Sequence, residues 1–302
     1  MPHNLNFVSF IIKRFTIYDM KDLKRVAAVH DISGFGKCSL TVALPILSAA
    51  GIETTVLPTA VLSTHTGGFT GFTYRDLTED IAPITAHWKS LDIRFDAIYT
   101  GFLGSFEQLE LVTRFFETFK TDGTIILVDP VMADNGELYK IFSPEFALGM
   151  RKLCEKADII IPNLTEAALM IGEKYNPGPY SETYIEDVLK KLSAIGPKRI
   201  VLTGVFFNDE DLGAATYDAA TGEVTYSFEK RIPGYYHGTG DVFGSALLSA
   251  LMNDFSLSES AAIAVRFTTS SIRKTAAAGT DIRFGVDFEH TIPEFLKDLK
   301  LI

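Results

Sequence analysis

Cysteine is scarce: the 302 residues hold two, Cys38 and Cys154, far apart and without the spacing of metal ligands. That pattern excludes a cysteine-built metal site and suits a reducing cytoplasm. Basic residues are also in deficit, 28 Lys and Arg against 38 Asp and Glu, for a formal net charge of -10. This balance argues against broad electrostatic binding to nucleic acid or to an anionic membrane, although a local basic pocket can coexist with it. A small-molecule partner is the expectation. Long apolar runs are missing too. The N-terminal stretch NFVSFIIKRFTIYD is broken by Lys13 and Arg14, is too short to span a bilayer and lacks a small-residue cleavage site. Residues 1–20 read as an extension without an assigned role, ahead of a single domain over 21–302.

Among phosphate-binding signatures, neither GxxxxGK[ST] nor a kinase HRD-type loop is present. SGFGK after the first predicted strand is a G-x-G fragment without the third glycine, which counts against a dinucleotide-binding oxidoreductase.

What the chain does have is core material, 47% hydrophobic residues against 22% charged. From residue 24 short β-branched runs alternate with longer amphipathic stretches. RVAAVHD (25–31), TTVLPTAVL (54–62), FDAIYTGFLG (95–104), TIILVDPVM (124–132), ADIIIPN (157–163) and RIVLTG (199–204) read as strands or strand-to-loop segments. SLTVALPILSAAG (39–51), QLELVTRFFETFK (108–120), EAALMIG (166–172) and YIEDVLKKLSAIG (184–196) carry helical spacing, and residues 214–231 suggest a hairpin across a TG turn. This βα alternation predicts an α/β fold with a mainly parallel sheet.

In such sheets ligands bind beyond the carboxyl ends of the strands. Polar residues gather there: Asp31, Ser33 and Gly34; Ser63, Thr64, His65 and Thr66; Asp129 and Asp134; Asn163 and Glu166; Thr203 and Gly204. Each alone has an ordinary reading as a cap or turn former, but their convergence on one sheet edge points to a site. Asp129 and Glu166 could hold a hydrated Mg²⁺ together with phosphate oxygens.

The densest motif is YYHGTGDVFG (235–244), directly before the apolar helix SALLSALM. Gly238, Thr239 and Gly240 could present unpaired N–H groups to an anion at that helix start. Helix capping by Thr239 or Asp241 is the alternative. Phosphoryl transfer accounts for the acid as well: the N–H groups face the phosphoryl group, and Asp241 accepts the proton of the attacking hydroxyl.

HGTGDVFGSALLSAL, VDPVMADNGELY, IIIPNLTEAALMIG and LSTHTGG, in their order along the chain, resemble the pyridoxal kinase family of the ribokinase-like superfamily. The resemblance runs from about residue 24 to near the C-terminus. It implies a three-layer fold with a central, mostly parallel sheet flanked by helices, usually as a homodimer. The implied activity is ATP-dependent phosphorylation of the 5′-hydroxymethyl group of pyridoxal, pyridoxine or pyridoxamine, with Mg²⁺ and, as a further candidate, a monovalent cation such as K⁺. Carried over position by position, Asp241 matches the catalytic base and Gly238, Thr239 and Gly240 the anion hole. Asp129 and Glu166 match acids around the metal; Asn163, Thr203 and Asp134, with Gly204, match the ATP-lining positions. His65, Thr66 and Ser63 match the block facing the pyridine ring, and Asp31 or Ser33 a contact to the ring's polar edge. His237 either lines the substrate side or packs beneath the hole. Phe102 stands where tyrosine is frequent, keeping a stacking surface without the hydroxyl; Ala133 replaces a frequent glycine and Ile161 a frequent threonine.

The nearest rival is hydroxymethylpyrimidine kinase, whose members often carry cysteine at the position of Asp241. A non-catalytic vitamer- or nucleotide-binding protein is the rival of another class; it would need no general base.

Overall fold

A computed structural model describes residues 23–302, so the extension expected over 1–20 lies outside the described residues. The strands are β1 (Arg25–Ser33), β2 (Glu53–Leu62), β3 (Tyr74–Asp76), β4 (Ala97–Thr100), β5 (Ile125–Val128), β6 (Ala133–Asp134), β7 (Glu137–Leu138), β8 (Ile159–Ile160), β9 (Arg199–Val205), β10 (Asp211–Asp218) and β11 (Glu223–Lys230). The helices are α1 (Leu40–Ala49), α2 (Thr78–Ser90), α3 (Phe106–Phe119), α4 (Pro144–Cys154), α5 (Leu164–Ile171), α6 (Glu182–Ile195), α7 (Thr239–Met252), α8 (Leu257–Ala278) and α9 (Ile292–Asp298). Nine strands form one sheet in the order β11-β10-β9-β8-β5-β4-β1-β2-β3, and β6 pairs with β7 in a separate small hairpin. The run from β9 to β2 is parallel; β3, β10 and β11 are antiparallel additions at the two edges.

The parallel strands are covered on both faces, which explains their nearly continuous apolar sequence. Val26 to Val29 of β1 are fully buried. One face packs on α2 to α6, where Leu109, Val112, Phe115, Phe116 and Phe119 of α3 repeat at helical spacing. The other packs on α1, α7, α8 and α9, with Val242, Ala246, Leu247 and Ala250 of α7 against Val26, Tyr99 and Leu127 of the sheet. This is the three-layer α/β arrangement expected from the sequence. Polar groups stop the helices where the pattern places the breaks: Ser105 caps α3 by accepting from the Gln108 N–H, and Gly172 ends α5 in a left-handed turn at φ 73°. Among the described residues no helix is long and apolar enough to cross a membrane.

From β1 the chain runs through α1 to β2 on one side, then returns to place β4 on the other. The connections therefore diverge at the carboxyl ends of β1 and β4, the place in an open α/β sheet where a crevice forms. The helix start at residue 239 and the ends of β5, β8 and β9 border a cavity on the same edge of the sheet.

Candidate active site

The start of α7 is left open. Gly238 occupies the N-cap position at φ 76°, and no side chain caps the helix. The Thr239 hydroxyl instead donates to the Tyr236 carbonyl at 3.2 Å, and the Ser245 hydroxyl to the Asp241 carbonyl at 2.6 Å. The capping alternative for Thr239 and Asp241 is thereby removed, and the first-turn N–H groups stay available together with the positive end of the helix dipole. A Cβ at Gly238 would collide with the Lys37 carbonyl oxygen, so both the left-handed turn and the close backbone approach require glycine. At Gly240 a Cβ would meet only the Asp129 Oδ2, at 3.9 Å, and would otherwise face open space.

A cavity of about 410 Å³ opens in front of this helix start. Of the sequence-predicted residues it gathers Asp129, Asp134, Asn163, Glu166, Thr203, Gly204, Thr239 and Gly240. Asn163 and Glu166 also form the capping box of α5: Asn163 Oδ1 accepts from the Thr165 and Glu166 N–H groups, and Glu166 Oε2 accepts from the Asn163 N–H at 2.9 Å. Glu166 Oε1 accepts from the Met132 N–H at 3.1 Å, tying the loop after β5 to α5. Two residues singled out as ligands are thus also the structural pins of the cavity wall. Pattern reading missed the opposite wall, made by Leu212 of β10, Ile232, and Val265, Thr268 and Ile272 of α8. The hairpin read from sequence over 214–231 begins two residues after Leu212, and the sequence reading places no element over 257–278.

Asp129 and Glu166 are buried, and burial, reinforced by carboxylate neighbours, raises both above the usual carboxylate range. Among the described residues no group of three or more His, Cys, Asp or Glu forms a metal cage. Two carboxylates, Asp129 and Glu166, line the cavity, a donor set of the kind an ion such as Mg²⁺ takes together with waters and phosphate oxygens.

Asp241 stands between two acidic neighbourhoods. Burial pushes its pKa up to about 7, the backbone N–H of Ser39 restrains the rise, and the charge of Asp31 adds to it. On one side its charge is felt by Asp129, which lines the cavity. Toward the other side lie Asp31, Ser33, Cys38 and Ser39. Asp31, at the end of β1, accepts from the Ser39 hydroxyl at 2.6 Å and the Ser33 hydroxyl at 2.9 Å. Cys38 lies near both aspartates; burial first, then Asp241 and Asp31, hold it as the thiol, so it offers no nucleophile.

The block after β2 behaves less simply than its sequence suggests. His65 Nε2 donates to the Arg283 carbonyl at 2.7 Å while Nδ1 accepts from the Gly67 N–H at 3.1 Å. Both nitrogens are spent inside the protein, and His65 positions its loop. Ser63 Oγ accepts from the Thr73 N–H at 2.9 Å, closing the same loop, on which Thr66 is exposed. His237 packs its ring 4.9 Å from that of His65 and 5.0 Å from Tyr235. Phe102 does not join the cavity lining; its ring packs on Phe142 at 5.7 Å.

Comparison with known proteins identifies the family and its fold. The family model described as phosphomethylpyrimidine kinase matches residues 44–284. A Bacteroides thetaiotaomicron protein provisionally named a phosphomethylpyrimidine kinase is 38% identical, with a TM-score of 0.88, over 91% of this chain and 94% of its own. A second crystal form of that protein contains pyridoxal. The Lactobacillus plantarum pyridoxal kinase is 33% identical with a TM-score of 0.84 over 91% of this chain and 97% of its own. Pyridoxal kinase of Arabidopsis thaliana is 26% identical over 84% of this chain and 83% of that protein. The chain belongs to the phosphomethylpyrimidine kinase family, on the pyridoxal kinase side of the ribokinase-like superfamily, and is a kinase that phosphorylates an alcohol group.

Proposed function

We propose that the protein transfers the terminal phosphoryl group of ATP to the 5′-hydroxymethyl group of pyridoxal, pyridoxine or pyridoxamine, in salvage of vitamin B6 toward pyridoxal 5′-phosphate. The observation that carries this reading is the position of Asp241, in the first turn of an uncapped helix start, between Asp129 and Asp31. The Gly238–Gly240 N–H groups bind the phosphate oxygens and offset the charge that grows on them during transfer. Asp241 accepts a hydrogen bond from the acceptor hydroxyl and takes its proton as that oxygen bonds to phosphorus and the bond to the departing nucleotide diphosphate breaks. The proton then leaves Asp241 to solvent. Asp129 would hold Mg²⁺, with Glu166 among the acids around its water shell; the ion neutralises phosphate charge when bound. Asp31, fixed by two hydroxyls, presents a polar edge to the acceptor ring.

The name of the matching family model favours a second reading, a hydroxymethylpyrimidine kinase, whose acceptor carries the same hydroxymethyl group on a flat ring. One assay separates the two: ATP consumption with Mg²⁺ across pyridoxal, pyridoxine, pyridoxamine and hydroxymethylpyrimidine. Turnover with the vitamers is expected. Turnover with the pyrimidine alone would replace the first reading by the second, and none with any acceptor would leave a binding protein.

A further inference from the structure

Exposed apolar side chains are informative when they cluster beside a site. Phe35 is 50% exposed and Phe284 42% exposed, and the two rings meet edge to face at 5.1 Å. Phe69 completes the group: its ring lies 6.1 Å from Phe35 and parallel to within 1° of Phe284, with centroids 6.5 Å apart. The three residues come from three distant parts of the chain: the loop after β1, the loop after β2, and the short 3₁₀ turn Ile282–Phe284 that follows α8.

The cluster is fastened to the acceptor side of Asp241. His65 touches Phe69 at 4.9 Å and His237, next to Gly238, at the same distance. The turn is held in place by the bond from His65 Nε2 to the Arg283 carbonyl, and by the Arg283 guanidinium, which lies 5.5 Å from the Phe69 ring centre and is paired with Asp281. A Cβ at Gly36 would strike the His65 ring and come within 3.3 Å of the Arg283 carbonyl oxygen, so the loop after β1 and the turn pass at backbone distance. Two half-exposed aromatic rings and a third, partly buried one beside this helix start match a flat ring better than a sugar, whose hydroxyls demand polar partners.

We propose that Phe35, Phe69 and Phe284 form the wall against which the planar ring of the acceptor lies, and that the turn Asp281–Gly285 is the element that selects among rings. This rests on the reading of the acceptor as a flat heteroaromatic alcohol. Phe102, the stacking surface expected from sequence, makes a tilted contact with Phe142 at 5.7 Å. His65 acts here as a positioning residue, since its nitrogens hold the turn rather than the ligand.

The test measures KM for pyridoxal and for ATP separately in wild type, Phe284→Ala, Phe69→Ala, Phe284→Leu and Phe284→Tyr, with pyridoxal binding followed by its absorbance in the absence of ATP. Loss of one aromatic contact is expected to raise the acceptor KM and dissociation constant roughly tenfold, with the ATP KM within about twofold. Phe284→Tyr is expected to restore wild-type values and Phe284→Leu to resemble alanine. An unchanged acceptor KM in both alanine variants, an equal rise in both KM values, or full rescue by leucine overturns the aromatic wall while leaving the vitamer assignment intact. A wild-type protein that neither binds nor phosphorylates any vitamer overturns that assignment, and the wall with it.

Discussion

On the proposed nucleotide side of Asp241 the site is made largely of backbone and of residues at the ends of strands, whereas on the proposed acceptor side it is made mostly of side chains carried by loops. The Gly238–Gly240 helix start, the α5 capping box and the ends of β5 and β9 belong to elements locked into the sheet and its covering helices. His65, His237 and the Phe35–Phe69–Phe284 cluster depend on loops and one short turn meeting each other, while Asp31 sits at the end of β1. The difference teaches a division of labour. Peptide groups of a rigid framework set the reaction type, and a few exchangeable side chains on loops set the acceptor.

The most severe way to break this comparison is at its centre. Asp241→Asn is expected to lower kcat by about 10²- to 10⁴-fold, the usual size of a general-base contribution, with ATP binding retained. Turnover near that of wild type would remove the dividing line itself. Next come the two glycines. Gly240→Val places its branches toward the phosphate position beside Asp129, so kcat and ATP affinity should each fall by roughly tenfold or more while the melting temperature stays put. Gly238→Ala should instead destabilise the fold by about 1–3 kcal/mol, because it strains a left-handed residue and strikes Lys37. Paired thermal melts and steady-state kinetics distinguish the two; equal melting points would contradict the assignment of Gly238 as the structural one.

A smaller effect follows from pH. Asp241 has its pKa raised from 3.8 to about 7, so its protonated form favours the folded, ligand-free chain. That stability is present below about pH 4 and is lost as pH rises through about 7. Activity runs the other way, because the base must be ionised, and kcat/KM should climb across the same upper limb. Melting profiles of wild type and Asp241→Asn should therefore diverge as the pH approaches 7, the asparagine variant lacking this decline. Parallel profiles would show that the carboxyl is not held in this state. The smallest effect belongs to Phe102→Tyr. With its ring packed on Phe142, relative kcat/KM among vitamers should remain within about twofold, and a clear change in preference would return Phe102 to the acceptor side.

The nucleotide half was largely legible in the sequence, because its residues sit at predictable strand ends and in one contiguous motif. The strands beginning at Arg25, Ile125 and Arg199 and the apolar helix after Gly238 all lie where hydrophobic periodicity places them. Four helices, α2, α4, α8 and α9, were outside the segments read from pattern, and Pro83 within α2 is a signal that works against a helix reading there. The wall made by α8 was hidden for that reason. The acceptor half was legible only as a list of polar residues. Nothing in LSTHTGG shows that both nitrogens of His65 are engaged, since one of their partners, Arg283, is 218 residues away. The meeting of Phe35, Phe69 and Phe284 is likewise a product of tertiary structure that local pattern does not encode.

Asp129 and Glu166 line one cavity, and Asp241 stands near enough for its charge to be felt at Asp129, which has a calorimetric consequence under the proposed reading. Carboxyls that hold protons in the ligand-free protein must surrender them when a cation or a catalytic geometry demands their charge. Formation of the proposed nucleotide–metal complex at neutral pH is expected to release protons, so that the measured heat varies with the ionisation enthalpy of the buffer chosen.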